Sequence, residues 1–137
     1  MTESLATTES PASAESMKGK QGIERIINAA GHSIRGLRGT WRTEAAFRQE
    51  CALLCILLPA AFWLGETPMQ IALLLMSCLI VLIVELLNTA IEVAIDRVGM
   101  ERHELSGRAK DVASAAVLLS LIQVALVWGL VAWERFV

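Results

Sequence analysis

The chain is defined first by what it lacks. It has no Walker A loop, no kinase catalytic-loop motif and no glycine-rich nucleotide fingerprint. The familiar phosphate-binding loops are therefore excluded, and phosphate chemistry here would need another architecture. Cysteine is scarce: Cys51, Cys55 and Cys78 all lie inside apolar runs. Cys51 and Cys55 are one helical turn apart, but neither histidine nor a further cysteine accompanies them. They read as small buried apolar residues, with no metal pair and no disulfide framework. Large apolar residues are nearly missing from positions 1–21, MTESLATTESPASAESMKGKQ. That stretch has no hydrophobic core, so it is not a secretory signal peptide, and it reads as a disordered leader. Between the first two long apolar runs there is no lysine or arginine at all.

What is present is apolar. Of 137 residues, 55% are hydrophobic, too many for a soluble domain of this size, and the length leaves room for one domain. Within the longest apolar run, ELLNTAIEVAID carries three carboxylates and an amide: Glu85, Asn88, Glu92 and Asp96. At roughly 100° per residue these four fall within an arc of about 80° on one helical face. Leu86, Leu87, Ile91, Val93 and Ile95 cover the rest. An ionisable group at membrane depth is costly, so a stripe of acids faces a bundle interior or an aqueous cavity and marks a functional site.

Around that stripe the chain falls into four helical segments. Ile23, Ile26, Ile27, Ala30, Ile34, Leu37 and Trp41 recur every three or four residues, with Arg25, Arg35, Arg38 and Arg42 among the polar positions between them. This predicts a basic amphipathic helix over about 23–38, lying in a membrane interface, with a break or turn at Gly36 and Gly39. Such a helix also suits nucleic acid, but the attached membrane spans argue against that partner. A first span is expected over about 43–64, N-capped by Thr43. Its apolar part is short, so Glu44–Glu50 would sit at the interface while packing accommodates Pro59. Gly65-Glu66-Thr67-Pro68 reads as a tight turn, with Thr67 the N-cap and Pro68 the first residue of a second span over about 68–98. At roughly 45 Å that helix is longer than the hydrocarbon core, so its last turns must project or be covered by protein. A polar loop leads to a third span over about 107–135, N-capped by Ser106. Its Ala113-Ser114-Ala115-Ala116 run is small enough for close helix approach. Trp41, Trp63, Trp128 and Trp133 fall near the expected interfaces and read as anchors.

Seven basic residues precede the apolar part of the first span, namely Lys18, Lys20, Arg25, Arg35, Arg38, Arg42 and Arg48. Four more, Arg97, Arg102, Arg108 and Lys110, lie around the loop between the second and third spans; only Arg135 is at the C-terminus. The positive-inside rule then places the N-terminus and the second loop in the cytoplasm and the C-terminus outside. The acids, the basic loop and the amphipathic helix meet at the cytoplasmic face. Carboxylates beside an electropositive loop suit Mg²⁺ and anionic phosphates together, because Mg²⁺ commonly shares one or two carboxylates with substrate phosphates. Arg25 and Lys110 are candidate phosphate donors, and Glu85, deepest in the apolar layer, is a candidate base for a lipid hydroxyl. Three functions remain open on these grounds: phosphoryl transfer, proton-coupled transport through a carboxylate, and an assembly role for acids paired with arginine.

Three motifs together, EAAFRQE at 44–50, ELLNTAIE at 85–92 and HELSGRAKD at 103–111, resemble the small prokaryotic diacylglycerol kinases of the bacterial inner membrane. The resemblance covers about residues 22–137. It implies an all-α membrane protein, with an N-terminal interfacial helix and three transmembrane helices in a homotrimeric bundle. It further implies transfer of the γ-phosphoryl of MgATP to diacylglycerol, giving phosphatidate, at sites shared between subunits. The undecaprenol kinases share ELLNTAIE and remain the alternative, although the HELSGRAKD loop looks more like the diacylglycerol branch.

By the same resemblance, Glu85 is the catalytic base with Asn88 as the amide beside it, and Glu44 and Glu92 are the Mg²⁺ ligands. Arg25, His32, Glu44, Glu92, Glu101, His103, Lys110 and Asp111 match positions around the nucleotide. Arg25, Ser33, Arg38, Trp41, Glu50, Glu85 and Ser114 match positions around the lipid. Asp96 belongs to the motif, with an expected role in holding the cytoplasmic end of the site together. Three positions depart from the best-known members: His32 and Arg102 replace tyrosine, and Asn28 replaces lysine.

Overall fold

The structure is a computed structural model that describes the backbone of residues 11–99 and 103–137, and side chains from residue 22 onward within those segments. Four helices follow in order: α1 (Pro11–Thr43), α2 (Ala45–Leu64), α3 (Pro68–Val98) and α4 (Glu104–Phe136). The chain divides into two units, residues 1–39 and residues 40–137.

Helix α1 supplies the first unit, and its last turn belongs to the second. Two expectations are corrected here. The helix starts at Pro11, so the second half of the expected disordered leader is helical; residues 1–10 lie outside the described residues. It also runs unbroken through Gly36 and Gly39 to Thr43. A glycine in a helix interior costs about 1 kcal/mol relative to alanine, which is not enough to end a helix whose neighbours continue its pattern. Ile23, Ile26, Ile27, Ile34 and Leu37 are exposed along this helix.

The second unit holds the three long apolar helices, each with the length and composition of a membrane span. Glu44 separates α1 from α2 in extended backbone, and it, rather than Thr43, is the N-cap of α2; its side chain makes no capping bond. Arg48 closes the elbow from the other side. Its Nη1 donates to the carbonyls of Trp41 (2.9 Å) and Arg42 (3.4 Å), placing a cation on the negative end of α1.

The turn between α2 and α3 follows its sequence signature. Thr67 Oγ1 accepts from Gln70 N (3.2 Å), and Gln70 Oε1 accepts from Thr67 N (3.1 Å) and Glu66 N (2.8 Å), a reciprocal capping box ahead of Pro68. Gly65 is required by space: a Cβ there would lie 2.6 Å from Ile71 Cγ1. Helix α4 begins at Glu104, earlier than expected. His103 replaces Ser106 as N-cap, its Nδ1 accepting from Leu105 N at 3.2 Å.

The closest pairing is between α3 and α4, with α2 packed mainly on α3. Small residues make this possible. Ser77, Ser120 and Ala113 are buried, and the two serine hydroxyls donate to carbonyls of their own helices, Leu74 and Val117, both at 2.7 Å. Of the small run expected to approach a neighbour, Ala113 is buried while Ser114, Ala115 and Ala116 are exposed. Cys78 is buried and Cys55 exposed, so burial holds for the former and not the latter; all three thiols are free.

The core is small and sits at the end of the bundle near residue 65: Ala61, Leu64, Leu74 and Val131, with Trp128 and Ala132 against them. Arg135 reinforces that end, donating to the carbonyls of Trp63 and Leu64 (the latter 3.0 Å) and stacking 5.1 Å from the Trp63 ring. Gln70 Nε2 donates to Glu134 Oε2 at 3.1 Å nearby. Elsewhere the spans are dressed in exposed leucine, isoleucine and phenylalanine. Only 11% of the most apolar window of α2, 28% of that of α3 and 11% of that of α4 is buried, so these surfaces require lipid or further protein.

Candidate functional site

Helix α3 carries the site because its two polar patterns overlap. Ser77, Val81, Glu85 and Thr89, four residues apart, are all buried, forming the face packed into the bundle. Glu85, 4% exposed, thus occupies a position where a hydrocarbon side chain would ordinarily pack. Asn88 and Glu92 are half-buried and Asp96 is exposed, so the stripe starts inside the bundle and emerges at the end remote from the core.

The acids gather from two helices. The Glu85 carboxylate interacts electrostatically with those of Glu92 and Glu44, and the Glu50 carboxylate with that of Glu85. Glu44 comes from the elbow and Glu50 from the second turn of α2, so the α1–α2 bend brings two acids to the α3 stripe. Asn88 is turned toward Glu92: its Nδ2 donates to Glu92 Oε1 at 3.2 Å. Asn88 Oδ1 and Glu50 Oε2 are both buried with no protein partner. A buried unpaired polar atom costs about 1–3 kcal/mol, so two beside the same acids mark a place prepared for other polar groups.

Two clefts adjoin these residues. A narrow one of about 40 Å³ is lined by Glu50 with Leu54, Leu57, Val81 and Leu121. An open groove of about 710 Å³, lined by Asn88, runs between Leu87 and Ile91 of α3 and Arg108, Val112 and Ala116 of α4. At the stripe's end, Lys110 Nζ meets Asp96 Oδ1 at 2.5 Å, tying the start of α4 to the end of α3.

The remaining expected site residues are distributed differently. Trp41 and Ser114 are exposed in the second unit, as is Asp111. His103 serves as the α4 cap. Arg25, His32, Ser33 and Arg38 are exposed in the first unit, where His32 Nδ1 lies 2.9 Å from Arg35 Nη2 and Ser33 Oγ donates to Ala29 O at 3.1 Å. Glu101 and Arg102 lie outside the described residues. Arg48 and Arg108 were read from the sequence only as basic charge. Arg48 lies within EAAFRQE, but its bonds at the elbow run to carbonyls of α1, which no sequence spacing signals.

Among the described residues, no three of histidine, cysteine, aspartate or glutamate are disposed to enclose a metal ion by themselves.

A helical integral-membrane protein with a cluster of carboxylates at one end of its bundle is the class that fold and site define. Residues 31–132 match the family model of prokaryotic diacylglycerol kinase. The chain is 51% identical over 108 residues to the diacylglycerol kinase of Haemophilus influenzae, covering 79% of this chain and 92% of that protein. It is 49% identical over 115 residues to the diacylglycerol kinase of Escherichia coli K12 (84% and 94% covered), and 47% identical over 112 residues to that of Pseudomonas aeruginosa (82% and 91%). The chain belongs to the prokaryotic diacylglycerol kinase family.

Proposed function

We propose that this protein is an ATP-dependent lipid kinase that phosphorylates the free hydroxyl of 1,2-diacylglycerol. The observation that carries the reading is the cluster of Glu44, Glu50, Glu85 and Glu92 around a buried position of α3, in a chain of this family. Glu85 accepts the hydroxyl proton while the lipid oxygen forms a bond to the γ-phosphorus and the bond from that phosphorus to the β-bridging oxygen breaks. The products are phosphatidate and ADP. Its buried place among apolar neighbours suits a base that works on a membrane lipid.

Glu44 and Glu92 would hold Mg²⁺, which when bound neutralises phosphate charge. The Glu44 carboxylate, which makes no capping bond to α2, and the bond from Asn88 that orients Glu92 support this assignment. Asn88 thereby acts on a metal ligand as well as beside the base. Arg25, His32, Glu101, His103, Lys110 and Asp111 would surround the nucleotide. Arg25, Ser33, Arg38, Trp41, Glu50 and Ser114 would surround the lipid, the Glu50 carboxyl standing over the apolar cleft that leads into the bundle. The bare apolar surfaces of α2 and α4 support a homotrimer with composite sites. The segregation of basic residues supports a place in the bacterial inner membrane, with the N-terminus cytoplasmic and the C-terminus periplasmic.

The test is transfer of labelled γ-phosphate by detergent-purified protein in mixed micelles offering diacylglycerol and undecaprenol side by side. Mg²⁺-dependent labelling of diacylglycerol is expected. Preferential labelling of undecaprenol would move the protein to the sister branch, and flux driven by a pH gradient without ATP consumption would make it a transporter.

A further inference from the structure

We propose that Asp96 is a positioning residue for Lys110, holding its ammonium one helical turn beyond Glu92 so that it meets the phosphates of the nucleotide. The proposal rests on the reading of Lys110 as a nucleotide contact given above. Its basis is the 2.5 Å approach of Lys110 Nζ to Asp96 Oδ1, made between the first turns of α4 and the last turn of α3. Asn88, Glu92 and Asp96 follow one another at intervals of four residues, each about 6 Å further along one face of α3. Asn88 holds Glu92 from one side, and Asp96 holds Lys110 on the other. The stripe is therefore a succession of holder, carboxylate and held cation.

A stability role accounts poorly for this pair. Asp96 is largely open to water, at 67%, and Lys110 in part, at 39%. Exposed ion pairs contribute little to folding because solvent screens them and two long side chains must be ordered. Ordering is useful where a ligand is to be met. A lysine has four rotatable bonds, and fixing it before the nucleotide arrives removes that entropy loss from binding. The lysine keeps further protons to donate to phosphate while one is shared with Asp96.

The experiment uses full-length protein in mixed micelles. It measures KM for MgATP, kcat, KM for diacylglycerol and equilibrium binding of a β,γ-imido analogue of ATP with Mg²⁺. Asp96→Asn should weaken nucleotide binding about three- to fivefold, the ceiling for an exposed pair. It should move KM for MgATP more than kcat and leave KM for diacylglycerol in place. Asp96→Glu should restore most of the loss, and Asp96→Asn should add nothing in a Lys110→Ala background. If Lys110→Ala leaves nucleotide binding intact, the nucleotide reading of Lys110 is wrong, and the proposal goes with it. If Lys110→Ala weakens binding but Asp96→Asn does not, or the two losses multiply, the reading of Lys110 stands and the positioning role is overturned. Where binding by Lys110→Ala falls below detection, failure of Asp96→Glu to rescue Asp96→Asn overturns it.

Discussion

Replacing Glu85 with glutamine separates the cost of the site to the fold from its value to the reaction. The carboxylate is 4% exposed and lies within electrostatic reach of Glu92 and Glu44. Glutamine keeps its shape and removes its charge. At an effective dielectric of about 20, like charges within such reach repel by about 1–3 kcal/mol. Half-buried Glu44 and Glu92 are partly screened, while desolvation of Glu85 itself adds to the cost, so the substitution should stabilise the folded bundle by about 1–3 kcal/mol. For a chain of this length that corresponds to a rise in Tm of about 3–10 °C. Turnover should fall by about 10²–10⁴, the usual loss with a general base. Thermal unfolding in detergent followed by circular dichroism, beside the micelle assay, measures both. A fall in Tm of several degrees would refute the reasoning, because it would mean that the carboxylate holds the bundle together. Near-normal turnover would remove Glu85 from the role of base.

Further outcomes are expected. Glu92→Ala should shift activity to higher Mg²⁺ or abolish it, and an unchanged Mg²⁺ titration would reject Glu92 as a ligand. On the proposed trimer with shared sites, Glu85→Gln and Asp111→Asn subunits, each inactive alone, should regain activity when allowed to exchange; crosslinked mixed oligomers that stay inactive would place both residues in one subunit's site. Gly65→Ala should lower stability by about 1–3 kcal/mol as Ile71 gives way to the new methyl group, and an unaltered Tm would show that the turn relaxes freely.

Much of this architecture was legible in the sequence, and the exceptions share a cause. Apolar run length marked three spans, and the offsets of Glu85, Asn88, Glu92 and Asp96 placed them on one face, because both follow from helix geometry alone. The Thr67–Gln70 capping box was half legible, since Thr67 and Pro68 announced the turn while the reciprocal bond from Gln70 went unread. Local chemistry misled at Gly36 and Gly39, where propensity was weaker than the run of helix around them. It misled again at Ser106, where a histidine three residues earlier took the capping role. The Asn88–Glu92 bond lies at the four-residue spacing of one face, whereas the partners of Arg48 and Lys110 depend on how successive helices meet, and periodicity does not carry that information. Nor could it distinguish buried Cys78 from exposed Cys55.

The packed core, the Arg135 bonds to the end of α2 and the Gln70–Glu134 pair all lie at the end of the bundle opposite the acids. The two ends are therefore closed in different ways: one by apolar packing and cross-helix bonds, the other by the chain that joins α3 to α4 and by the Lys110–Asp96 pair, with carboxylates where the first end has hydrocarbon. A substitution at the packed end falls on side chains that hold the helices together, whereas one at the acid end falls on charges whose burial the fold tolerates at a cost.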